Sequence, residues 1–110
     1  FSNVANDPPG MSVSPFGLTG MDTTWTYGSD AGDIGYLIMS LDSSTFNFHG
    51  DPVLLNFVIV TFGVMDGAGL ASVTATIPAS LSGLTIFSEA VMFAGSYQGS
   101  TNIASTWIVF

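Results

Sequence analysis

Apolar residues fill both alternating faces of one long segment, and the segment after it alternates between apolar and polar residues. A strand over Val53–Met65 would be apolar on both faces, since successive side chains of a strand point to opposite sides. Its β-branched residues, with Pro52 and Gly63 near its ends, favour a strand over a helix. Residues 70–77 predict a strand with one face in solvent. The turn Asp66–Gly69 between the two predicts that they pair as a hairpin.

Shorter strand patterns cover the rest of the chain. They occupy residues 21–27, 34–41, 45–49, 84–93 and 101–110, and turn residues separate them. The pattern of residues 34–41 is again apolar on both faces, and no segment has helical periodicity. This spacing predicts an all-β fold: a single β-sandwich, Ig-like or jelly-roll-like, of about seven or eight antiparallel strands.

The first 20 residues differ in composition from the rest, because they hold three of the five prolines. They predict an extended N-terminal arm or edge strand (residues 1–20), followed by the β-sandwich domain (residues 21–110). Two interpretations are open: the arm packs on its own domain, or it completes the sheet of a neighbouring copy as a donor strand. In the second, the side chains at the subunit interface are Val4, Met11, Val13 and Phe16.

The chain is acidic: it has eight Asp and Glu residues and no Lys or Arg, so its formal net charge is −8 at pH 7. Without cations it cannot displace phosphate counterions, which excludes nucleic acid as a partner. No apolar run has the length of a membrane-spanning helix. Lysine also protects exposed strand edges in many β-proteins, so its absence predicts edges that are either covered by loops or paired with another copy. The absence of cysteine excludes disulfides and thiolate ligands.

No arrangement of residues predicts catalysis, and we expect that the protein is not an enzyme. The single histidine, His49, lies at a predicted strand end, and no nucleophile-elbow motif is present. Asp30 and Asp33 are candidate metal ligands, because two carboxylates three residues apart in a glycine-containing loop suit Ca²⁺. Solvated loop aspartates are the alternative, and no other cofactor is predicted.

Aromatic side chains offer a second candidate site. Exposed rings can stack on sugars, whereas buried rings pack in cores or subunit contacts, and we favour the latter. The four candidates for a glycan-stacking platform are Trp25, Tyr27, Tyr97 and Trp107.

Glu89 interrupts an apolar strand, so it either faces solvent or makes a specific hydrogen bond.

The second half of the chain carries a series of motifs in a fixed order. They are the Asp66–Gly69 turn, a small-residue strand, the Ile77-Pro78 step, the connection 81–83, an aromatic-rich strand and a closing strand that begins at Thr101-Asn102. Over about residues 50–110 this order resembles the C-terminal β-rich domain of secreted planctomycete-type bacterial proteins. Glu89 departs from that pattern, in which Gln is usual. The resemblance implies an extracellular β-sandwich and carries over no catalytic residue.

These observations predict a secreted structural protein, extracellular or at the cell surface. We expect its copies to self-assemble into a pilus-like filament or other surface assembly, joined by β-strand addition through the arm. The alternative is a carbohydrate-binding or cell-adhesion module that calcium stabilises.

Overall fold

Residues 10–109, which are the residues that the computed structural model describes, contain eleven β-strands and one short 3₁₀ turn. The all-β class is confirmed. The strands outnumber the seven or eight predicted, partly because the long segment from residue 53 is divided in two. The strands are β1 (Gly10–Ser12), β2 (Phe16–Leu18), β3 (Asp22–Gly28), β4 (Ile34–Ser40), β5 (Thr45–Phe48), β6 (Asp51–Leu54), β7 (Val58–Val64), β8 (Leu70–Thr76), β9 (Thr85–Phe93), β10 (Tyr97–Ser100) and β11 (Ala104–Val109), with the 3₁₀ turn at Ala79–Leu81.

The strands form three sheets. The small sheet has three strands in the order β1-β3-β8. The large sheet has six, in the order β2-β11-β9-β4-β7, with β10 also paired to β9. β5 and β6 form a separate two-stranded unit, the cover hairpin. Its two-residue turn, His49-Gly50, has positive φ at both positions, as a type I′ turn requires. Every pair is antiparallel except β2 with β11, which is parallel.

The large sheet buries apolar side chains on both of its faces. The main core takes side chains from the small and the large sheet, among them Trp25, Leu37 and Met92. A second core lies on the other face of the large sheet and includes Ile38 of β4 and Val53 of the cover hairpin. Consecutive residues of β4 therefore enter different cores, which explains why its sequence is apolar on both faces.

The chain between β7 and β8 crosses from one sheet to the other, so the predicted hairpin is wrong. β7 pairs with β4 in the large sheet, whereas β8 pairs with β3 in the small sheet. The loop between β3 and β4 makes the opposite crossing, and the two loops lie against each other. We call residues 29–33 and 65–69 the stacked arches. Three backbone hydrogen bonds join them: Ser29 N–H to Gly69 O (2.9 Å), Gly32 N–H to Met65 O (3.2 Å) and Met65 N–H to Asp33 O (2.8 Å).

Local side-chain bonds shape each arch. Asp66 Oδ1 accepts the N–H groups of Ala68 (2.8 Å) and Leu70 (3.0 Å), which closes the turn that the sequence predicted. In the other arch, the buried Asp33 carboxylate accepts the Ser29 hydroxyl at 2.9 Å. Several backbone groups within the two arches are therefore satisfied by the neighbouring arch and by side chains, whereas the outer edge of β7 gains no partner from this contact.

Residues 10–18 belong to both larger sheets. β1 pairs with β3, and β2 pairs with β11. Met11 is buried in the main core, and Val13 packs against that core. The Asn102 side chain also holds Met11, since Oδ1 accepts its N–H (2.9 Å) and Nδ2 donates to its carbonyl (3.2 Å). This part of the predicted arm packs on its own domain, and Val4 lies outside the described residues.

We expect Gly69→Ala to destabilise the fold by about 2–4 kcal/mol, because two costs combine at this position. Gly69 has a φ of +77°, and an added Cβ would overlap the carbonyl oxygen of Ser29. Gly83→Ala is the matched control, since Gly83 has a φ of +82° and open space around it. It should cost only about 1 kcal/mol, the backbone cost alone. Urea unfolding followed by circular dichroism measures both variants, and equal losses would show that the contact between the arches is not tight.

Candidate functional site

β7 is the outermost strand of the large sheet, and its side chains are exposed on both faces. It pairs with β4 alone. Among its apolar side chains, the exposed fraction ranges from 43% at Val60 to 66% at Phe62. Strands that are apolar on both faces are typical of sheet interiors. The two-sided pattern that the sequence showed in this segment is therefore left uncovered by the rest of residues 10–109.

A β-bulge directs the side chains of β7. Leu37 pairs with Thr61 and Ile38 pairs with Ile59, which leaves Val60 as an extra residue. Val58 and Val60 lie on the face of the main core and Ile59 on the face of the cover hairpin, as ordinary alternation requires. Because paired residues share a face, Thr61 lies with Leu37 on the face of the main core, so the bulge places Val60 and Thr61 on the same face.

Two clefts flank β7, one on each face of the large sheet. The outer cleft lies beside the cover hairpin and has a volume of about 320 Å³. Its lining is apolar and largely aromatic: Tyr36, Ile38, Phe46, Phe48, Val53, Phe57, Ile59, Val91 and Phe93. The inner cleft lies on the other face, has a volume of about 530 Å³, and is lined by Met39, Ser40, Leu41, Asp42, Asn56, Val58, Val60, Leu81 and Ile86.

The other edges of the two larger sheets have features that hinder pairing with a further strand, and β7 lacks these features. β1 and β2 have three residues each, and Pro15 directly precedes β2. Short strands and proline are common protections of sheet edges. β8 has seven residues, like β7, but its exposed outer side chains are serine and threonine. Residues 52–65 contain no charged residue and no proline after Pro52. Within residues 10–109, β7 is thus the long apolar edge without a guard.

Glu89 of β9 is fully buried beneath the cover hairpin. Its Oε1 accepts the N–H of Leu54 at 3.0 Å, whereas its Oε2 has no hydrogen-bond partner. Burial raises the pKa of this carboxyl and Asp51 raises it further, while the Leu54 N–H and the Ser100 hydroxyl lower it. Relative to a solvated carboxyl, the neutral form of Glu89 is therefore favoured, and of the two roles that the sequence left open, Glu89 has the specific hydrogen bond.

Tyr97 of β10 fastens the cover hairpin from the side. Its hydroxyl donates to Asp51 Oδ2 at 2.6 Å, and its ring stacks on His49 with 5.2 Å between centroids. Burial, followed by the hydrogen bond to Asp51, raises the pKa of Tyr97 to about 12. Tyr97 thus makes contacts through both its ring and its hydroxyl. His49, in the turn of the cover hairpin, makes contacts through its ring.

The structure does not bring the four candidate glycan-stacking residues together. Trp25 and Tyr27 are each only 2% exposed and lie in the main core, so they cannot stack on a sugar. Tyr97 lies on the opposite face of the large sheet. Trp107 is 49% exposed, but its neighbour is Phe16 at 6.2 Å, near the edge formed by β2. Two of the four rings are therefore buried and one is half-exposed, a difference that the sequence alone did not show.

The two candidate calcium ligands lie in the first of the stacked arches. Asp33 is buried and accepts the Ser29 hydroxyl, whereas Asp30 is partly exposed. In residues 10–109, no group of three or more His, Cys, Asp or Glu side chains is placed to hold a metal ion. Calcium binding by this pair stays a prediction.

No protein family model matches the chain, and no curated protein or solved structure matches it. These comparisons do not bear on the resemblance of residues 50–110 to the planctomycete-type domain, which stays a prediction. The part of the chain that the structure describes has no helix of the length and apolar character needed to cross a membrane.

We expect Glu89→Gln to remove a component of the pH dependence of stability. Because the folded state raises the pKa of Glu89, it binds this proton more tightly than the unfolded chain does. The contribution of Glu89 is therefore complete below its unfolded pKa of about 4.3 and is lost as pH rises towards its folded pKa. Gln is neutral at every pH, so the variant should gain stability relative to wild type as pH rises from 4 to 8.

Thermal or urea unfolding at a series of pH values measures this difference. Asp42→Asn is the control of opposite sign, because hydrogen bonds from Ser44 and Asn56 lower the pKa of Asp42. The stabilisation that Asp42 gives is present above its unfolded pKa and is lost as pH falls. A Glu89→Gln curve parallel to that of wild type would mean that the folded state does not raise the pKa of Glu89.

Proposed function

We propose that this protein is a structural subunit that self-assembles by β-strand addition, with β7 as the edge that accepts the added strand. The observation that carries the proposal is the position of β7: a long strand at the end of the large sheet, apolar on both faces and unguarded. In strand addition, main-chain hydrogen bonds to such an edge provide affinity, and pockets for alternate side chains provide selectivity.

The exposed area at this edge is close to what a stable interface needs. The apolar side chains there are 38–66% exposed, and together they present on the order of 500 Å². A standard interface buries about 800 Å² per partner, of which about 60% is apolar. An area of this size is comparable to the largest apolar patch of a monomer, which often has a function. These side chains are Ile34, Leu41, Phe57, Val58, Ile59, Val60, Phe62 and Val64.

The two clefts fit the same mechanism. A strand laid beside β7 would point successive side chains to opposite faces of the sheet. One set would enter the aromatic outer cleft, and the other would enter the larger inner cleft. The preferred strand is therefore apolar on both faces and carries no net negative charge, because the chain that receives it is already strongly acidic.

The arm has a smaller part in this mechanism than the sequence predicted. Met11 and Val13 are packed with the main core of their own domain, so donating them to a neighbour would require β1 to leave the small sheet. Phe16 is 59% exposed and remains available for contacts at the opposite edge. The role of Val4 stays a prediction.

Secretion, location outside the cell and absence of enzymatic activity are further parts of the proposal. They are supported by the composition, which lacks lysine, arginine and cysteine, and by the resemblance of residues 50–110. The fold proposed with them is a β-sandwich, supported by two sheets that share the main core.

The alternative of a glycan-binding module has less support, since half of its predicted platform is buried.

We expect Ile59→Lys to weaken self-association at least about tenfold, which corresponds to 1.4 kcal/mol. Ile59 is 56% exposed, so the substitution should leave the folded monomer stable to within about 1 kcal/mol. In an assembled edge, however, the ammonium group would have to be desolvated among the apolar and aromatic side chains of the outer cleft. Light scattering and sedimentation over a range of concentrations measure the association.

Ser72→Lys is the matched control, because it makes the same change of charge on the other seven-residue edge, β8. This variant should associate as wild type does. A wild-type protein that stays monomeric at every concentration would contradict the proposed function, and equal weakening by both lysines would show that β7 is not the contact.

A further inference from the structure

We infer that the strand added to β7 is β7 of a second copy, antiparallel to the first and related to it by a two-fold axis. The large sheet of one copy and the large sheet of the other would then form one continuous sheet. This inference rests on the proposed function and deepens it, because it names both the partner segment and the symmetry of the contact.

Strand length and side-chain chemistry select β7 as its own complement. β1 and β2 offer three residues each and β10 offers four, so none of these strands could pair with more than part of a seven-residue strand. β8 is long enough, but its outer face carries Ser72, Thr74 and Thr76, which would place hydroxyls against apolar side chains. Among the edges of the two larger sheets, only a second β7 offers seven residues that are apolar on both faces.

A two-fold axis perpendicular to the sheet satisfies both faces at once. It makes the two β7 strands antiparallel, and it keeps each face of one copy beside the same face of the other. The outer clefts would therefore adjoin across the axis on one side, and the inner clefts on the other. Such an interface uses one patch twice, which is the requirement for a closed two-fold pair.

Charge also favours a contact at this edge. Each copy carries a formal charge of −8 and has no Lys or Arg with which to form an ionic contact. Two copies therefore repel each other, and they can approach most closely where carboxylates are absent. Residues 52–65 contain none, while Asp42 in the inner cleft lies close enough to contribute residual repulsion. Added salt should screen this repulsion and strengthen the pair, whereas a cationic partner would bind more weakly in salt.

Single-cysteine scanning tests the two-fold arrangement directly. The chain has no cysteine, so one introduced cysteine can form a disulfide only with the same residue of another copy. Near the axis, facing residues lie about 4.5–5.5 Å apart between Cα atoms, which suits a disulfide. A residue two positions farther along lies about 13 Å from its copy, beyond that range. The variants are Val58→Cys, Val60→Cys, Thr61→Cys, Phe62→Cys and Val64→Cys, with Ser72→Cys on β8 as the control.

Each variant is oxidised mildly at a concentration where wild type associates, and disulfide-linked dimers are quantified on non-reducing gels. Only variants with a wild-type unfolding transition are compared. We expect a sharp maximum at one or two positions inside β7, at least fivefold above the control, and stronger association in 0.5 M than in 0.05 M NaCl. Low or uniform yields along β7 in a protein that still oligomerises would overturn the two-fold pairing and leave the proposed function standing. A strictly monomeric protein would overturn both.

Discussion

The stacked arches determine the arrangement of the rest of the structure. One arch leads from β3 to β4 and the other from β7 to β8, and the hydrogen bonds between them hold the four strand ends in register. Because β3 then pairs with β8, β4 must pair with β7 on the other side of the main core. The chain turns away from the large sheet after Val64 and does not return beside β7. The exposed edge thus follows from the same contact that closes the core.

The sequence pattern predicted the strands and their faces better than it predicted their neighbours. Residues 34–41 and 53–65 have the same two-sided apolar pattern, which is typical of strands that are covered on both faces. β4 has such cover, because Leu37 and Ile38 enter different cores. β7 does not, because alternation reports the polarity of each face and contains no information about what lies against it. The difference between a buried and an edge strand lies in long-range pairing, which a local pattern cannot show.

The same limit explains the wrong hairpin and the undecided role of Glu89. Asp66 and Gly69 supply the side-chain bonds and the positive φ that a hairpin turn uses, and an arch between two sheets needs the same two features. Only the partner loop at Ser29 and Asp33 distinguishes the two cases, and it lies more than 30 residues away in the chain. Glu89 likewise depends on the N–H of Leu54, 35 residues earlier. The sequence did limit Glu89 to two roles, because a carboxyl in an apolar strand must be hydrated or hydrogen-bonded.

A chain without cations has few ways to bury or shield its carboxylates, and this constraint acts on both the core and the edge. Glu89 cannot gain a salt bridge, so its burial favours the neutral acid with a backbone donor. At the surface, aspartate could guard a strand edge as lysine does in other proteins. The chain has eight acidic residues, yet none lies on β7, whereas Asp42 and Asp66 lie in connections between strands and Asp51 is the first residue of β6. The chain therefore has acidic residues that could protect an edge, but they lie outside β7. An edge that pairs with another strand must be free of such charges.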